Sequence, residues 1–169
     1  ARWAAVAGLV DVVAVSIDGT AAEHDALRGK PGAHAATVAN LATIRASGAT
    51  LALIFTLTQH NVDSLAAVVE LAAAHGARVV QVHPLSLHGR AAATLDGARP
   101  DPIELACALY EADRLARRHG VAVHVDALTA DQLAAHRAAL VPAVDAPVVD
   151  LAPSLIVEAD ARVVPLTHE

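Results

Sequence analysis

The stretch Thr50–His83 reads TLALIFTLTQHNVDSLAAVVELAAAHGARVVQVH and predicts a strand, a helix and a second strand in close succession. Its two apolar runs, Thr50–Thr58 and Val79–His83, have the length and the β-branched content of buried strands. The apolar residues between these runs recur at helical spacing and end at a glycine: Leu65, Val68, Val69, Leu71 and Gly76. A strand, a crossing helix and a strand in this order predict a right-handed unit with two parallel strands.

The alternation of strand and helix continues on both sides of this unit. Strands are predicted at Val10–Ile17 and Val121–Val125, and the strand runs are almost continuously apolar, as expected for parallel strands covered on both faces. Helices are predicted at Thr37–Ala46, Pro102–His119 and Ala130–Leu140. We therefore expect an α/β fold with a mainly parallel sheet, either open or part of a barrel, because four parallel strands are too few to close an eight-stranded barrel.

The chain divides into a barrel-like segment, residues 1–150, and a C-terminal segment, residues 151–169. In the second segment, Ser154–Pro165 reads SLIVEADARVVP and predicts a short β-hairpin that turns near Ala159-Asp160. The chain contains no methionine, even at position 1, so we expect it to be a piece of a longer protein.

Charge and cysteine content narrow the classes of function. The formal net charge of −6 argues against a nucleic-acid partner, and the absence of an apolar run of about 18 residues argues against a membrane span. The single cysteine, Cys107, excludes an internal disulfide and a cysteine-rich metal site within these residues, which favours a reducing cytoplasm. Its position among the apolar residues of a helix predicts a buried, unreactive thiol. The histidines at the strand ends lack helical ligand spacing, so no metal site is predicted.

Polar residues follow each predicted strand at its carboxyl end, where parallel α/β folds bind ligands. In chain order they are Ser16 and Asp18, then Thr56, Thr58, Gln59, His60 and Asn61, then Gln81 and His83, and finally His124 and Asp126. Because the carboxyl ends of parallel strands meet at one edge of the sheet, we expect these side chains to share one rim.

Ordinary structural roles also explain several of these residues. Asp18-Gly19 is a typical turn pair, and the Ser16 hydroxyl is equally suited to bonding a neighbouring backbone group. Asn61 or Asp63 is suited to cap the next helix, and Arg28 to be a surface charge. Composition and spacing alone leave both interpretations open.

Residues 12–34, VVAVSIDGTAAEHDALRGKPGAH, resemble the middle strand and loop of radical SAM enzymes, which reductively cleave S-adenosylmethionine at an iron–sulfur cluster. The matching motifs are Ser-Ile-Asp-Gly at residues 16–19 and His-Asp-x-hydrophobic-Arg-Gly at residues 24–29. IFTLTQHN (residues 54–61) and QVHPLSLHGRA (residues 81–91) are similar to the family's next two strands. The tail LIVEADARVVPLTHE (residues 155–169) resembles the start of the C-terminal extension of peptide-modifying and cofactor-maturing members.

This resemblance implies that the chain is the C-terminal part of the partial TIM barrel of a radical SAM oxidoreductase. The parent would form a 5′-deoxyadenosyl radical and abstract hydrogen from a small-molecule or peptide substrate. In this chain the resemblance implies contacts with S-adenosylmethionine: Ser16 with a polar edge, Arg28 with the carboxylate, and Asp18 with the loop or the ribose hydroxyls. It also places Thr56 and Asn61 near the ribose or the substrate, and the backbone around His83 and Leu85 against the adenine.

The chain departs from the family at its iron–sulfur ligands. Radical SAM enzymes hold a [4Fe–4S] cluster through Cys-x3-Cys-x2-Cys, which is absent here, so the cluster ligands are expected in an N-terminal part of the parent. Pro165-Leu166 stands where the extension has Pro-Cys, which argues against an auxiliary cluster. This chain alone is therefore expected to be catalytically inactive.

Two other functions are compatible with the same residues. The first alternative is a cluster-free, degenerate barrel that acts as a ligand- or partner-binding module. The second is a fragment of an unrelated α/β-barrel hydrolase or aldolase that uses His83 or His124. Independently of function, the exposed sheet edges at Val10–Ile17 and Val121–Val125 predict either self-association or coverage of an edge by the N-terminal or C-terminal segment.

Overall fold

The computed structural model describes residues 9–87, 89–126, 155–157 and 160–165. Within these residues, four parallel strands alternate with helices, and two short strands lie near the C-terminus. The strands are β1 (Val12–Ser16), β2 (Thr50–Leu57), β3 (Val79–Pro84), β4 (Ala122–Val125), β5 (Leu155–Val157) and β6 (Val163–Pro165). The helices are α1 (Ala21–Arg28), α2 (Ala33–Ala46), α3 (Leu65–Ala74), α4 (Arg90–Thr94) and α5 (Pro102–His119), and a 3₁₀ turn (Val62–Ser64) precedes α3.

The main sheet has the strand order β1-β2-β3-β4, and every neighbouring pair is parallel. Ser16 pairs with Ile54, which in turn pairs with Gln81 on the next strand. Because each strand lies beside its neighbour in the sequence, every crossover moves the chain one strand further in the same direction, as in a (β/α) barrel. The predicted α/β fold with a parallel sheet is confirmed, and its topology is consistent with part of an α/β barrel.

The sheet packs one face against the helices and leaves the other partly exposed. Side chains alternate between the two faces along each strand. Leu53, Phe55 and Val82 lie on the helical side and are fully buried, together with apolar residues of α3 and α5. We call the other side the open face; its partly exposed residues near the carboxyl ends of the strands are Ser16, Ile54, Thr56, Gln81, His83 and His124. The predicted coverage of both faces is therefore not found in the described residues.

Helix α1 lies where the sequence analysis predicts no helix. The Thr20 hydroxyl accepts a hydrogen bond from the Glu23 N–H at 3.5 Å, and the Glu23 carboxylate accepts one from the Thr20 N–H at 2.7 Å. This reciprocal pair is a capping box, whose Thr-x-x-Glu signature is visible in the sequence. Apolar spacing did not reveal the helix because its buried residue is polar, His24.

Other boundaries differ by a few residues. Helix α2 begins at Ala33 rather than Thr37, because the Asp25 carboxylate accepts hydrogen bonds from the N–H groups of Gly32 and His34 and fixes the preceding turn. Helix α4 lies between the strand predicted at Val79–His83 and the helix predicted at Pro102–His119, where no helix is predicted, and β1 begins at Val12 rather than Val10. Helix α5 has the predicted bounds, with a capping box between Asp101 and Glu104 at its start.

The prediction of a buried thiol at Cys107 is wrong, since Cys107 is exposed. Ile103 and Tyr110, on the same side of α5, are 70% and 67% exposed. The buried stripe of this helix lies on its other side and consists of Ala108, Leu109, Ala112 and Leu115. Apolar residues occur on both sides of α5, so their periodicity did not identify the buried side.

The C-terminal segment is described in part. Strands β5 and β6 pair in antiparallel orientation, with Ile156 opposite Val164. Residues 158–159 between them, and the helix predicted at Ala130–Leu140, lie outside the described residues. Among the helices described, none combines the length and the apolar content needed to cross a membrane.

Candidate functional site

Asp18 is at the centre of a hydrogen-bonded cluster at the carboxyl ends of β1 and β2. Its side chain is fully buried. Oδ2 accepts a hydrogen bond from Arg28 Nε at 2.8 Å and forms an ion pair with Nη2 at 2.6 Å, and Oδ1 accepts a hydrogen bond from the Thr56 N–H at 3.1 Å. The carboxylate therefore connects the loop after β1, the end of α1 and strand β2. We call Asp18, His24, Arg28, Thr56 and Asn61 the Asp18 cluster.

His24 lies on helix α1 and is 2% exposed. Its Nδ1 accepts a hydrogen bond from the Asp18 N–H at 3.1 Å, so Nδ1 carries a lone pair and the neutral ring has its hydrogen on Nε2. Burial lowers the pKa of His24, although the Asp18 carboxylate, 3.2 Å from Nδ1, opposes this effect. The imidazole thus acts here as a neutral hydrogen-bond acceptor.

Asn61 joins the loop after β2 to the loop after β1. Its Nδ2 donates to the carbonyl oxygens of Thr56 at 2.9 Å and Asp18 at 3.1 Å, and its Oδ1 accepts from the Thr58 N–H at 2.7 Å. The sequence also favoured a capping role, but Asn61 makes no side-chain cap hydrogen bond to the 3₁₀ turn that follows it. Its amide instead satisfies buried backbone groups, whose desolvation is costly without a partner.

Sequence reasoning missed Glu23 and Ser64 as part of this region. The Ser64 hydroxyl lies 2.8 Å and 2.6 Å from the two oxygens of the Glu23 carboxylate, which also caps α1. Burial tends to raise the pKa of Glu23, but the hydrogen bonds from Ser64 and Thr20 outweigh it and lower that pKa. The capping-box signature could have identified Glu23 from the sequence. Its contact with Ser64, 41 positions away, is visible only in the folded structure.

The structure places the seven residues predicted to bind a cofactor in three environments. Asp18, Arg28 and Asn61, with the Thr56 backbone, belong to the Asp18 cluster. The side chains of Ser16, Thr56 and His83 lie on the open face, where His83 Nδ1 contacts Asp126. The Leu85 side chain is 6% exposed, and its N–H donates to the Leu57 carbonyl at 2.8 Å.

Arg28 has a partner within the protein, the Asp18 carboxylate, in place of the ligand carboxylate implied by the resemblance. Its side chain is nevertheless 37% exposed. Asp18 differs, because complete burial leaves its carboxylate no contact surface for a ribose in this conformation. The ligand contacts of both residues remain predictions.

A cleft of about 260 Å³ adjoins the cluster, and Asp18 and Asn61 are among its lining residues. It lies between α1, the loop after β2 and the segment after α4, and Leu27, His60 and Leu95 contribute to its largely apolar walls. Its polar side chains are mostly engaged, since Asp18, Glu23 and Asn61 all have protein partners.

The described residues contain no group of three or more His, Cys, Asp or Glu side chains able to hold a metal ion. Cys107 lies on α5 and is exposed. At this edge of the sheet, the described residues carry hydrogen-bonding groups: hydroxyls, imidazoles and the guanidinium of Arg28, whose side chain is partly exposed.

Neither a protein-family model nor a curated protein matches this chain.

Proposed function

We propose that this chain is the C-terminal part of the partial barrel of a radical SAM oxidoreductase and that it supplies part of the pocket for S-adenosylmethionine and substrate. The observation that carries the proposal is that the motif residues which resemble the family meet in one place. Asp18 of the first motif binds His24 and Arg28 of the second, and both motifs lie at the carboxyl end of β1. Asn61, from the stretch that resembles the family's next strand, reaches the same place and donates to the Asp18 carbonyl at 3.1 Å, although it lies 43 positions away in the sequence.

The residues present fit an S-adenosylmethionine molecule lying across the open face. Ser16 and Thr56 offer hydroxyls to a polar ligand, and the partly exposed Ile54, which pairs with Ser16 and precedes Thr56 by two positions, offers an apolar surface beside them. The Arg28 side chain is 37% exposed and would meet a ligand carboxylate as a planar donor while still paired with Asp18. When bound, S-adenosylmethionine supplies the radical chemistry; this chain binds and orients the molecule.

The residues present do not fit a [4Fe–4S] cluster. Such a cluster is held by cysteine thiolates, and the one cysteine in this sequence lies on the outer helix α5. The cluster ligands would have to come from another part of the parent protein, so no reaction step is assigned to this chain.

Anaerobic reconstitution of the full-length parent with iron and sulfide, followed by measurement of 5′-deoxyadenosine released from S-adenosylmethionine, tests the proposal. We expect a brown cluster and product formation. Ser16→Ala should weaken binding of S-adenosylmethionine by about 1 kcal/mol, the value of one hydrogen bond.

Ser47→Ala is the matched control. The Ser47 hydroxyl donates to the Ile44 carbonyl at the end of α2, remote from the carboxyl ends of the strands, so its removal should not change this affinity. A reconstituted parent with neither cluster nor 5′-deoxyadenosine would exclude the proposal.

The second candidate is a cluster-free binding module. The cleft beside α1 favours this candidate, because a ligand bound there would need no iron–sulfur cluster. Titration of the isolated chain with S-adenosylmethionine in a calorimeter separates the two candidates. Tight binding without the N-terminal part of the barrel favours the module, whereas binding only in the parent favours the radical SAM proposal.

A further inference from the structure

The open face carries a histidine–carboxylate pair that the proposed function does not use. His83 lies near the end of β3, and its Nδ1 contacts Oδ2 of Asp126, which directly follows β4. The Asp126 N–H donates to the Val82 carbonyl at 2.9 Å, so the backbone fixes Asp126 beside the end of β3. The pair is therefore held by two adjacent strands.

Gln81 supplies a second donor to the same carboxylate. Its Nε2 lies 3.4 Å from each oxygen of Asp126. Gln81 precedes His83 by two positions, so both side chains lie on the open face. The Asp126 carboxylate therefore contacts both an amide and an imidazole from strand β3.

This arrangement selects one form of the His83 ring. A carboxylate at Nδ1 favours the tautomer with hydrogen on Nδ1 and leaves the lone pair on Nε2. The His83 side chain is 40% exposed, and no described residue forms a hydrogen bond with its Nε2. His124 on β4 differs, because its Nε2 is buried and has no partner among the described residues.

The surroundings of His83 indicate the chemistry of the group it would meet. Among the open-face positions of β1 to β4, the side chains are apolar or uncharged hydrogen-bonding groups, apart from the histidines. No lysine or arginine of these four strands is available to bind an anion. Beside His83, a neutral O–H or N–H group therefore fits better than a phosphate or a carboxylate.

We propose that His83 is a proton acceptor for a neutral O–H or N–H group of a molecule bound on the open face and that Asp126 orients it. The proton leaves oxygen or nitrogen for His83 Nε2, and the electron pair of the broken bond stays on that atom. The resulting imidazolium is stabilised through Nδ1–H by the Asp126 carboxylate. No electron is transferred, so the step needs no oxidant. It goes beyond the proposed function because it requires neither S-adenosylmethionine nor a cluster.

Two measurements on the full 169-residue chain test this proposal without either cofactor. Nitrogen-15 NMR of the imidazoles should show the His83 hydrogen on Nδ1. Diethyl pyrocarbonate, which acylates unprotonated imidazole nitrogen, should modify His83 readily, with the sites mapped by mass spectrometry. Asp126→Asn should slow modification of His83 by about tenfold, because the ring loses its orienting charge.

The exposed His60 is the internal control, since it has no carboxylate partner in the described residues and its modification rate should not change. Asp126→Glu, which keeps the carboxylate, should restore part of the rate. A hydrogen on Nε2 of His83 in the unmodified chain would overturn the proposal. Equal modification rates of His83 in the chain and in a folded Asp126→Asn variant would also overturn it.

Discussion

Arg28 and Asp18 form a two-point contact in which Nε and Nη2 of the guanidinium lie 2.8 Å and 2.6 Å from the same carboxylate oxygen. Asp18 is fully buried, whereas Arg28 is partly exposed. A buried carboxylate requires such partners because desolvation is costly for an unpaired charge. This contact holds the end of α1 against the loop after β1, and it therefore shapes the rim on which the candidate site lies.

Asp18→Asn should lower the free energy of unfolding by about 2–3 kcal/mol, because it removes the charge from the buried ion pair with Arg28 and weakens its hydrogen bond from Nε. Urea denaturation measures the change. Asp113→Asn is the matched control: it makes the same substitution in the surface pair with Arg117 on α5 and should cost about 0.5 kcal/mol or less. Equal losses in the two variants would contradict the central role of Asp18.

Gly19→Ala should destabilise the protein by about 2 kcal/mol, because Gly19 has a φ of +126° and its new Cβ would lie 2.5 Å from Glu23 Oε2. The Glu23 carboxylate cannot move away without breaking its hydrogen bonds to Ser64 and Thr20. Thermal or urea unfolding provides the measurement.

Gly48→Ala isolates the effect of this close contact. Gly48 also has a positive φ, +88°, but nothing lies within 4 Å of a Cβ built there. Gly48→Ala should lower the free energy of unfolding by about 1 kcal/mol, from backbone strain alone. If Gly48→Ala were as damaging as Gly19→Ala, the contact with Glu23 would not matter.

Stability should fall as the pH decreases through about 6.5, the ordinary pKa of histidine. Burial lowers the pKa of His24 in the folded state, so the unfolded chain binds a proton more readily than the folded one. The contribution of neutral His24 to the free energy of unfolding is fully present above about pH 6.5. It is lost as the pH falls from there towards the lower pKa of His24 in the folded state. Urea midpoints measured across this range check the direction.

His24→Asn should reduce this dependence on pH, because asparagine does not titrate and its side-chain oxygen is suited to accept the Asp18 N–H. Some dependence should remain, since burial also lowers the pKa of His124 and acts with the same sign. An unchanged slope in His24→Asn would show that His24 is not the responsible group.

The isolated chain should self-associate through the β1 edge, because Val12 is 53% exposed on a strand with one neighbour in the described sheet. Val12→Lys should shift the dissociation constant at least about tenfold towards monomer, since a charged edge disfavours pairing. Sedimentation velocity over a concentration series measures the shift.

Ile103→Lys provides the comparison for this edge. It places the same charge at a 70% exposed apolar residue of α5, away from the sheet. An equal effect of the two variants would assign association to α5, and a chain that is monomeric at every concentration would contradict the prediction.

The sequence determined the alternation of strands and helices, because the apolar runs at Thr50–Leu57 and Val79–Pro84 and the terminating glycines are local signals. Capping residues are local too, so Thr20 and Glu23 contain the information for α1 even though apolar spacing does not reveal it. The position of Ser16 and Asp18 at the end of a strand was also predictable from the residues around them.

Only the tertiary structure decided the partners of those residues. Asp18 binds the backbone of Thr56, 38 positions away, and its own carbonyl accepts a hydrogen bond from Asn61. His83 and Asp126 meet only because β3 and β4 are adjacent in register. Contacts of this kind depend on strand order and on which side of each helix is buried. The apolar periodicity of a single sequence specifies neither the strand order nor the buried side. For that reason the sequence predicts a polar rim, and the fold determines which of its groups face one another and which face a ligand.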